Sequence, residues 1–163
     1  MAKLYGALVG TAYNSTSATP PRTLHAHEKG TDDILVRDRI ELAAAPVNDI
    51  VSLGKFGSNA YLDPEGCVLR HDDLGATTTL DIGHAAAGAI AAAPAALIAA
   101  QDVSTAAGNF SLFKSVDIAN YFKPLWQVLG MASDPGVEIE LIATVKASAA
   151  TGTLVWSFKG QNR

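Results

Sequence analysis

The sequence predicts an all-β protein, an antiparallel β-sandwich with short helical inserts and an extended N-terminal arm. Short runs of alternating apolar and polar residues recur along the chain and account for about six to eight strands. Turn signatures that contain glycine, proline or aspartate separate these runs at fairly regular intervals. The 163 residues are 48% hydrophobic, which is enough for one compact core but short for two domains.

The first 31 residues differ in composition from the rest of the chain. Residues 11–23 are mostly threonine, serine, alanine and asparagine and include Pro20 and Pro21, which favours an extended segment over a packed element. We therefore divide the chain into an extended N-terminal arm, residues 1–31, and a β-sandwich domain, residues 32–163. The apolar residues of the arm are candidate interface residues: Leu4, Tyr5, Leu8, Val9 and Tyr13.

Two strands are predicted at the start of the sandwich. Residues 32–42 alternate, so that one face is apolar and carries Ile34, Val36, Ile40 and Leu42, and the other carries Leu35, Arg37, Arg39 and Glu41. Asp38 is the exception on the apolar face. Residues 49–56 form the second strand, and Gly54 and Gly57 indicate a β-bulge or the end of the strand. The sequence DPEG at residues 63–66 then predicts a turn.

Residues 70–83, RHDDLGATTTLDIG, combine a charged corner, a glycine turn and a threonine-rich strand. Residues 67–71 alternate as a short strand, and residues 72–75 supply the polar side chains and the glycine of a turn. In the strand that follows, every second residue is expected to face a core: Thr78, Leu80 and Ile82. This stretch therefore predicts a strand, a turn and a second strand.

Residues 85–100 carry no charge and are mostly alanine. A membrane-spanning helix needs about 20 strongly apolar residues, whereas this stretch is shorter, weakly apolar and interrupted by Gly88 and Pro94. We predict a loop over residues 85–93 and a short helix that begins at Pro94 and continues to Gln101.

The C-terminal part of the chain predicts one helix and three strands. Residues 109–114 resemble a short strand. Pro124 and Gly130 bound a short helix, and the nearby apolar residues have helical spacing: Phe122, Leu125, Trp126 and Leu129. Residues 137–146 and 153–159 predict a C-terminal β-hairpin, in which one strand presents three large side chains on a single face: Leu154, Trp156 and Phe158.

Composition argues against several classes of function. Twelve basic and 16 acidic residues give a net charge of −4, and no run of lysine or arginine forms the clustered positive surface that binds nucleic acid. Cys67 is the only cysteine, so no intrachain disulfide forms, and we interpret it as a buried apolar residue. No glycine-rich loop matches a phosphate-binding pattern. We expect no cofactor and no nucleic-acid or membrane partner.

Two pairs of side chains have the composition of chemical sites. His25 and His27 form an HxH pair of the kind found in metal sites, but only Glu28 is nearby as a third ligand, so a solvated or interface-packed pair is favoured. Glu138 and Glu140 fall on one strand face and are interpreted as the solvated side of a sheet, not as a glycosidase pair. We predict no metal site.

A second group of acids and bases lies around the central turn. His71, Asp72, Asp73, Asp81 and His84 all fall within this short part of the chain. A Ser-His-Asp triad is defined by geometry and not by sequence order, but no nucleophile-elbow pattern accompanies these residues. We predict no catalytic site.

Three stretches of the chain resemble the small all-β virion proteins of tailed bacteriophages that decorate or cement capsids. They are residues 48–56 (NDIVSLGKF), residues 70–83, and residues 150–160 (ATGTLVWSFKG). The shared order is a polar start, a short apolar strand, a turn, the motif HDxLG, and a threonine-rich strand that ends in glycine. The resemblance covers the middle and C-terminal parts of the chain.

This resemblance implies a jelly-roll-like sandwich without enzymatic activity. It also implies a homotrimer on the exterior of the virion capsid, with the major capsid protein as its partner and stabilisation of capsomer contacts as its function. The arm would reach across a neighbouring molecule. Ordering of the arm would cost conformational entropy, but the ordered arm would cover a large surface. Symmetric repetition of this contact over the capsid would turn a weak interaction into strong overall binding.

Two alternatives from other classes remain open. Most aromatic residues are expected in the core, but Trp126 is a further candidate interface residue. A ligand- or carbohydrate-binding β-sandwich module of a virion would expose Trp126 and Trp156 together as a platform. A small hydrolase would require a concave pocket that holds His71 or His84 beside a nucleophile.

Overall fold

Two β-sheets packed face to face form the structure, a computed structural model that describes residues 3–5 and 33–162. Sheet 1 contains, in spatial order, β1 (Lys3–Tyr5), β3 (Ile50–Gly57), β9 (Glu138–Lys146), β6 (Thr79–His84) and β7 (Ala93–Asp102). Sheet 2 contains β2 (Asp33–Ala45), β10 (Ala150–Gln161), β5 (Val68–His71) and β8 (Gly108–Ser111), and β4 (Tyr61–Leu62) pairs with the end of β10. A 3₁₀ turn (Ile118–Asn120) and the helix α1 (Leu125–Val128) lie between β8 and β9.

The strand order is that of a jelly roll. If the short strands β1 and β4 are set aside, four strands lie in each sheet, as β3-β9-β6-β7 and β2-β10-β5-β8. These neighbours are all antiparallel, and among the described strands only β1 runs parallel to its neighbour, β3. Strands from the two ends of the chain are thus interleaved in both sheets, as in a pair of Greek keys. The predicted all-β sandwich is confirmed.

The core lies between the sheets and follows the predicted alternation. On β10, Leu154, Trp156 and Phe158 face inward and are at most 1% exposed. The ring of Phe158 meets the ring of Phe56 from β3, with centroids 4.8 Å apart in a tilted arrangement that suits aromatic pairs. Full burial contributes about 1.5–3 kcal/mol for each such side chain. The predicted inward residues of β2 are also buried or half-buried: Ile34, Val36, Asp38, Ile40 and Leu42.

One hydrogen bond ties the two sheets together through the core. The predicted bulge on β3 is present, because the register with β9 shifts between Ser52 and Gly54 and leaves Leu53 as the extra residue. The indole Nε1 of Trp156, on sheet 2, donates a hydrogen bond to the carbonyl oxygen of Leu53, on sheet 1, at 2.7 Å. A buried carbonyl without a donor costs free energy, so the indole supplies the partner that this bulged position needs.

The predicted C-terminal hairpin is wrong. β9 lies in sheet 1 and β10 in sheet 2, so the two strands do not pair with each other. The central strands β5 and β6 exist as predicted, but they too are divided between the sheets. Alternation determines which face of a strand is buried. The inner face of a strand is buried to the same extent whether the next strand lies beside it in one sheet or opposite it in the other sheet. Alternation therefore does not identify the strand with which it pairs.

The helix predicted from Pro94 is also wrong, because this stretch is the edge strand β7. Pairing with β6 and burial of Leu97 and Ile98 outweigh the helix propensity of the alanines, and an edge strand tolerates the missing N–H of proline. The two strands approach closely at Gly83, where an added Cβ would lie 2.1 Å from the carbonyl oxygen of Ala93. Glycine at this position therefore permits the contact between β6 and the start of β7.

Replacement of Trp156 by phenylalanine is expected to lower the free energy of unfolding by about 2–4 kcal/mol, because a buried carbonyl loses its donor and a void remains. Urea denaturation followed by circular dichroism measures this loss. The matched control is Val155→Ala, the adjacent outward position on β10, which is 40% exposed and is expected to cost less than about 1 kcal/mol. Equal losses in the two variants would contradict the role given to the indole.

Gly83→Ala is expected to destabilise the protein by about 2–3 kcal/mol, because the new methyl group collides with main-chain atoms that cannot rotate away. Gly57→Ala is the control, since the nearest atom to its added Cβ is the Oδ1 of Asn162 at 4.0 Å. Thermal unfolding of both variants provides the comparison. A Gly83 variant as stable as the Gly57 variant would show that β7 does not pack as described.

Candidate functional site

The connection between β8 and β9 places two large apolar side chains in solvent. Ile118 is 79% exposed and Phe122 is 84% exposed. Their main chain is well anchored, because the Asp117 carboxylate caps the 3₁₀ turn and the Leu125 N–H donates to the Ala60 carbonyl oxygen at 2.8 Å. Both apolar side chains are therefore presented to solvent by a hydrogen-bonded connection.

The helix α1 confirms the helix predicted between Pro124 and Gly130. Pro124 is its N-cap residue, and Gly130, with a φ of 70°, follows its C-cap. Leu125 and Val128 are buried as an inward face. Phe122, which helical spacing assigned to the same apolar face, instead precedes the helix and lies in solvent.

Phe122 lines an apolar groove of about 530 Å³ at the end of sheet 2. Leu35, which is 46% exposed, lines the same groove. Asp63 and Lys159 also contribute, and they form an ion pair in which Oδ2 and Nζ are 3.7 Å apart. We call this surface the Phe122 groove and define it by Ile34, Leu35, Tyr61, Leu62, Phe122 and Gly160. Exposed apolar surface of this kind marks sites of interaction.

The outer face of sheet 2 continues from the groove to a cluster of arginines. After Leu35, the next two outward positions of β2 are Arg37 and Arg39, and β5 contributes Arg70. The strand β10 lies between β2 and β5, and its Val155 pairs with both Arg39 and Arg70. We call the surface formed by Arg37, Arg39, Arg70 and Val155 the arginine face.

The structure places the predicted interface residues in three different situations. Leu4 and Tyr5 belong to β1, whose main chain pairs with Val51 and Ser52 of the same chain. Trp126 is half-buried and packs against the core. The remaining candidates lie outside the described residues: Leu8, Val9 and Tyr13.

The two tryptophans do not form an exposed platform. Trp156 is 1% exposed and its indole N–H is used within the core. Trp126 lies on α1 with its main-chain N–H donating to the Ser58 carbonyl oxygen at 3.1 Å. The joint exposure required by the carbohydrate-binding alternative is therefore absent from these two residues.

The histidines of the central stretch are separated by the sandwich. His71 ends β5 in sheet 2, and its Nδ1 is 2.7 Å from the Asp72 carbonyl oxygen. His84 ends β6 in sheet 1, is 2% exposed, and its Nδ1 is 2.8 Å from the Ala85 carbonyl oxygen. Each imidazole thus contacts the main-chain carbonyl group of the residue that follows it. The acids and bases that are close in sequence are divided between the two sheets and do not form one cluster.

Neither a metal-binding cluster nor a helix of membrane-spanning length is present in the described part of the chain. Residues 3–5 and 33–162 contain no group of three or more His, Cys, Asp or Glu side chains arranged to hold a metal ion. The predicted HxH pair, His25 and His27, and the neighbouring Glu28 lie outside these residues. No helix in the described segments has the length and apolar character needed to cross a bilayer.

Glu140 corrects the interpretation of the β9 carboxylates. Glu138 is exposed as expected, but Glu140 is only 8% exposed and accepts a hydrogen bond from the Ser52 hydroxyl at 2.6 Å. Neighbouring Ile142 and Thr144 on the same face are also buried. The centre of the outer face of β9 is therefore buried. The alternation of apolar and polar residues in the sequence predicts a solvated face and does not reveal this burial.

Cys67 is buried as predicted. Its side chain is fully enclosed, and its Sγ lies 3.5 Å from the Lys159 carbonyl oxygen. Burial disfavours the thiolate and raises the pKa of Cys67 to about 12. A thiol with this pKa is almost entirely protonated at neutral pH and is a poor nucleophile.

The described surfaces include residues that the sequence did not single out. Helical spacing groups Phe122 with Leu125, Trp126 and Leu129, although Phe122 precedes Pro124, which bounds the predicted helix. A signal against this grouping is Lys123, because a residue before proline disfavours the helical conformation. Arg37 and Arg39 were correctly placed on the outward face of their strand. Arg70 was not connected with them, because the pairing of β5 with β10 is not visible in the sequence.

Together these features define a class: a jelly-roll β-sandwich with an apolar groove and an arginine cluster on one sheet. No protein-family model and no curated protein matches the sequence. Among solved structures, a chain of the "Capsid of Ralstonia phage GP4" is similar to it, with a TM-score of 0.53 and 21% identity over 87% of this chain and 92% of that chain. At this level of identity the similarity shows a shared fold.

The thiol of Cys67 is expected to resist a disulfide reagent such as DTNB at pH 8 in the folded protein and to react when the chain is unfolded in guanidinium chloride. Its raised pKa also makes stability pH-dependent. The contribution is complete below about pH 9, where the unfolded thiol is protonated, and is lost as the pH rises towards 12, by at most about 1.36 kcal/mol per pH unit. Cys67→Ala lacks this dependence. Rapid reaction of the folded protein would contradict the burial of the thiol.

Proposed function

We propose that this chain is a structural virion protein of a tailed bacteriophage. It binds the outer surface of the capsid as a decoration, or cement, protein and stabilises the contacts between capsomers. The observation that carries the proposal is the similarity to a chain of a phage capsid structure, which covers nearly all of both chains. The resemblance of residues 48–56, 70–83 and 150–160 to phage decoration proteins supports the same function independently.

The mechanism is burial of contact area by a rigid body, without catalysis. The sandwich supplies the rigid body, because large buried side chains from both sheets fill the core between them. The Phe122 groove supplies the apolar contact with the major capsid protein. Phe122 itself is suited to this function, because an aromatic ring contributes a large contact area and loses little conformational entropy on binding.

The proposal includes a homotrimer and an extended arm. Three chains around one axis would present three Phe122 grooves to the shell, so contacts that are weak alone would act together. Within the arm, residues 1–31, the strand β1 (Lys3–Tyr5) pairs with β3 of the same chain. The rest of the arm would reach across a neighbouring molecule and add further contact area.

Phe122→Ala is expected to weaken the binding of the protein to capsid shells by at least about tenfold, since loss of an anchoring aromatic ring typically costs 2 kcal/mol or more. Co-sedimentation of the full chain with purified shells of its phage, prepared without this protein, measures the affinity. Because Phe122 is 84% exposed, its replacement is expected to leave the unfolding midpoint unchanged.

Val137→Ala is the matched control, because this residue is also a partly exposed apolar side chain but lies outside the groove. It is expected to bind shells as the unmodified protein does.

Sedimentation equilibrium of the unmodified protein should give the mass of a trimer, three times the chain mass of 16.9 kDa. A monomer that ignores shells would overturn the proposed function, and equal shell binding by both variants would overturn the role of the groove.

A further inference from the structure

Three arginines share the outer face of sheet 2. Arg39, Val155 and Arg70 form one row across β2, β10 and β5, and Arg37, Ser157 and Val68 form the next row. Rows two residues apart on the same face are neighbours. The three guanidinium groups are therefore brought together by strand pairing from distant parts of the sequence.

These arginines have no carboxylate partner within the described part of the chain. The ion pair on this face is Lys159 with Asp63, at the groove end. Glu41, the next outward residue of β2, accepts a hydrogen bond from the Thr153 hydroxyl at 2.7 Å. Like charges that share a sheet face repel each other, so this cluster is unfavourable in the isolated fold.

A cleft of about 320 Å³ lies between two of the arginines. Arg37 and Arg70 line it, together with Val68, Val155 and Ser157. Serine is the smallest of these side chains, so the space above β10 is left open at this point. Guanidinium groups bind carboxylates with two parallel hydrogen bonds, and the valines can contact the methylene groups of a glutamate or aspartate side chain.

We propose that the arginine face binds an acidic protein segment of the capsid shell, with its carboxylates held by Arg37 and Arg70. This inference rests on the proposed function and identifies the chemistry of the partner. Charge complementarity supports it, and so does position, because Leu35 of the Phe122 groove is the next outward residue to Arg37 on β2. One partner surface can therefore contact the apolar groove and the arginines together.

A protein partner fits this surface better than a nucleic acid does. Nucleic-acid sites present extended basic grooves, and single-stranded ones add aromatic side chains on which bases stack. The arginine face has three cations, and the residues beside them in the cleft are valine, serine and Trp156. The indole of Trp156 is only 1% exposed and lies in the core, so no aromatic ring is available there for stacking. The net charge of the whole chain is negative, which opposes the approach of a long polyanion.

The first experiment uses short poly-L-glutamate as the probe and the full-length protein. Isothermal titration at low salt is expected to show binding that weakens as salt is added. The double variant Arg37→Gln/Arg70→Gln is expected to bind at least tenfold more weakly. Arg37→Lys/Arg70→Lys should recover part of the loss, because lysine keeps the charge but not the two parallel hydrogen bonds.

The control is Lys55→Gln/Lys146→Gln, which removes the same charge from sheet 1. It is expected to bind poly-L-glutamate as the unmodified protein does. Absence of binding, or an equal loss in this control, would overturn the inference. Tighter binding of an oligothymidylate than of poly-L-glutamate would also overturn it, in favour of a nucleic-acid partner.

Co-sedimentation with capsid shells then separates this inference from the proposed function. Loss of shell binding by Arg37→Gln/Arg70→Gln, with the control unaffected, supports both. Shell binding that is unchanged in the arginine variant overturns the inference and leaves the proposed function standing. Poly-L-glutamate binding by a protein that ignores shells overturns the proposed function and, with it, the shell as the source of the acidic segment.

Discussion

The contact between Trp156 and Leu53 is the constraint on which the sandwich depends. Two sheets that pack through apolar side chains alone can slide, because the hydrophobic effect has no direction. A hydrogen bond of 2.7 Å from the indole of one sheet to a bulged carbonyl of the other has a direction, and it fixes their relative position. The tilted contact of Phe56 with Phe158 adds a second point of alignment on the same two strands.

The same strand that builds the core also builds the outer surface. Side chains alternate along β10, so Leu154, Trp156 and Phe158 enter the core while Val155 and Ser157 face outward between β2 and β5. The indole therefore fixes the register of the outward residues as well. A change in the position of β10 by one residue would exchange the two sets, and both the core and the arginine face would be lost together.

The sequence allows the faces of the strands to be predicted, and with them most of the core, but not their partners. Periodicity identified the inward residues of β2, β6 and β10 because burial alone sets that pattern. It did not show that β9 and β10 lie in opposite sheets, and it favoured a helix where Gly83 lets β7 pair with β6. The groove and the arginine face depend on such pairings between distant residues, so neither could be derived from local sequence.

The two surfaces have complementary physical functions. Apolar contacts in the Phe122 groove would gain free energy from buried area and are not weakened by electrostatic screening, but they discriminate poorly between partners. The net affinity of arginine–carboxylate pairs is reduced by desolvation, but removal of one partner leaves the other charge unpaired, and the pairs also fix orientation and speed the encounter. The proposed attachment at many equivalent positions of a shell would use both properties, because symmetry repeats each weak contact and would also repeat an error in orientation. The placement of Leu35 beside Arg37 on one strand is the simplest way in which a β-sandwich can provide them side by side.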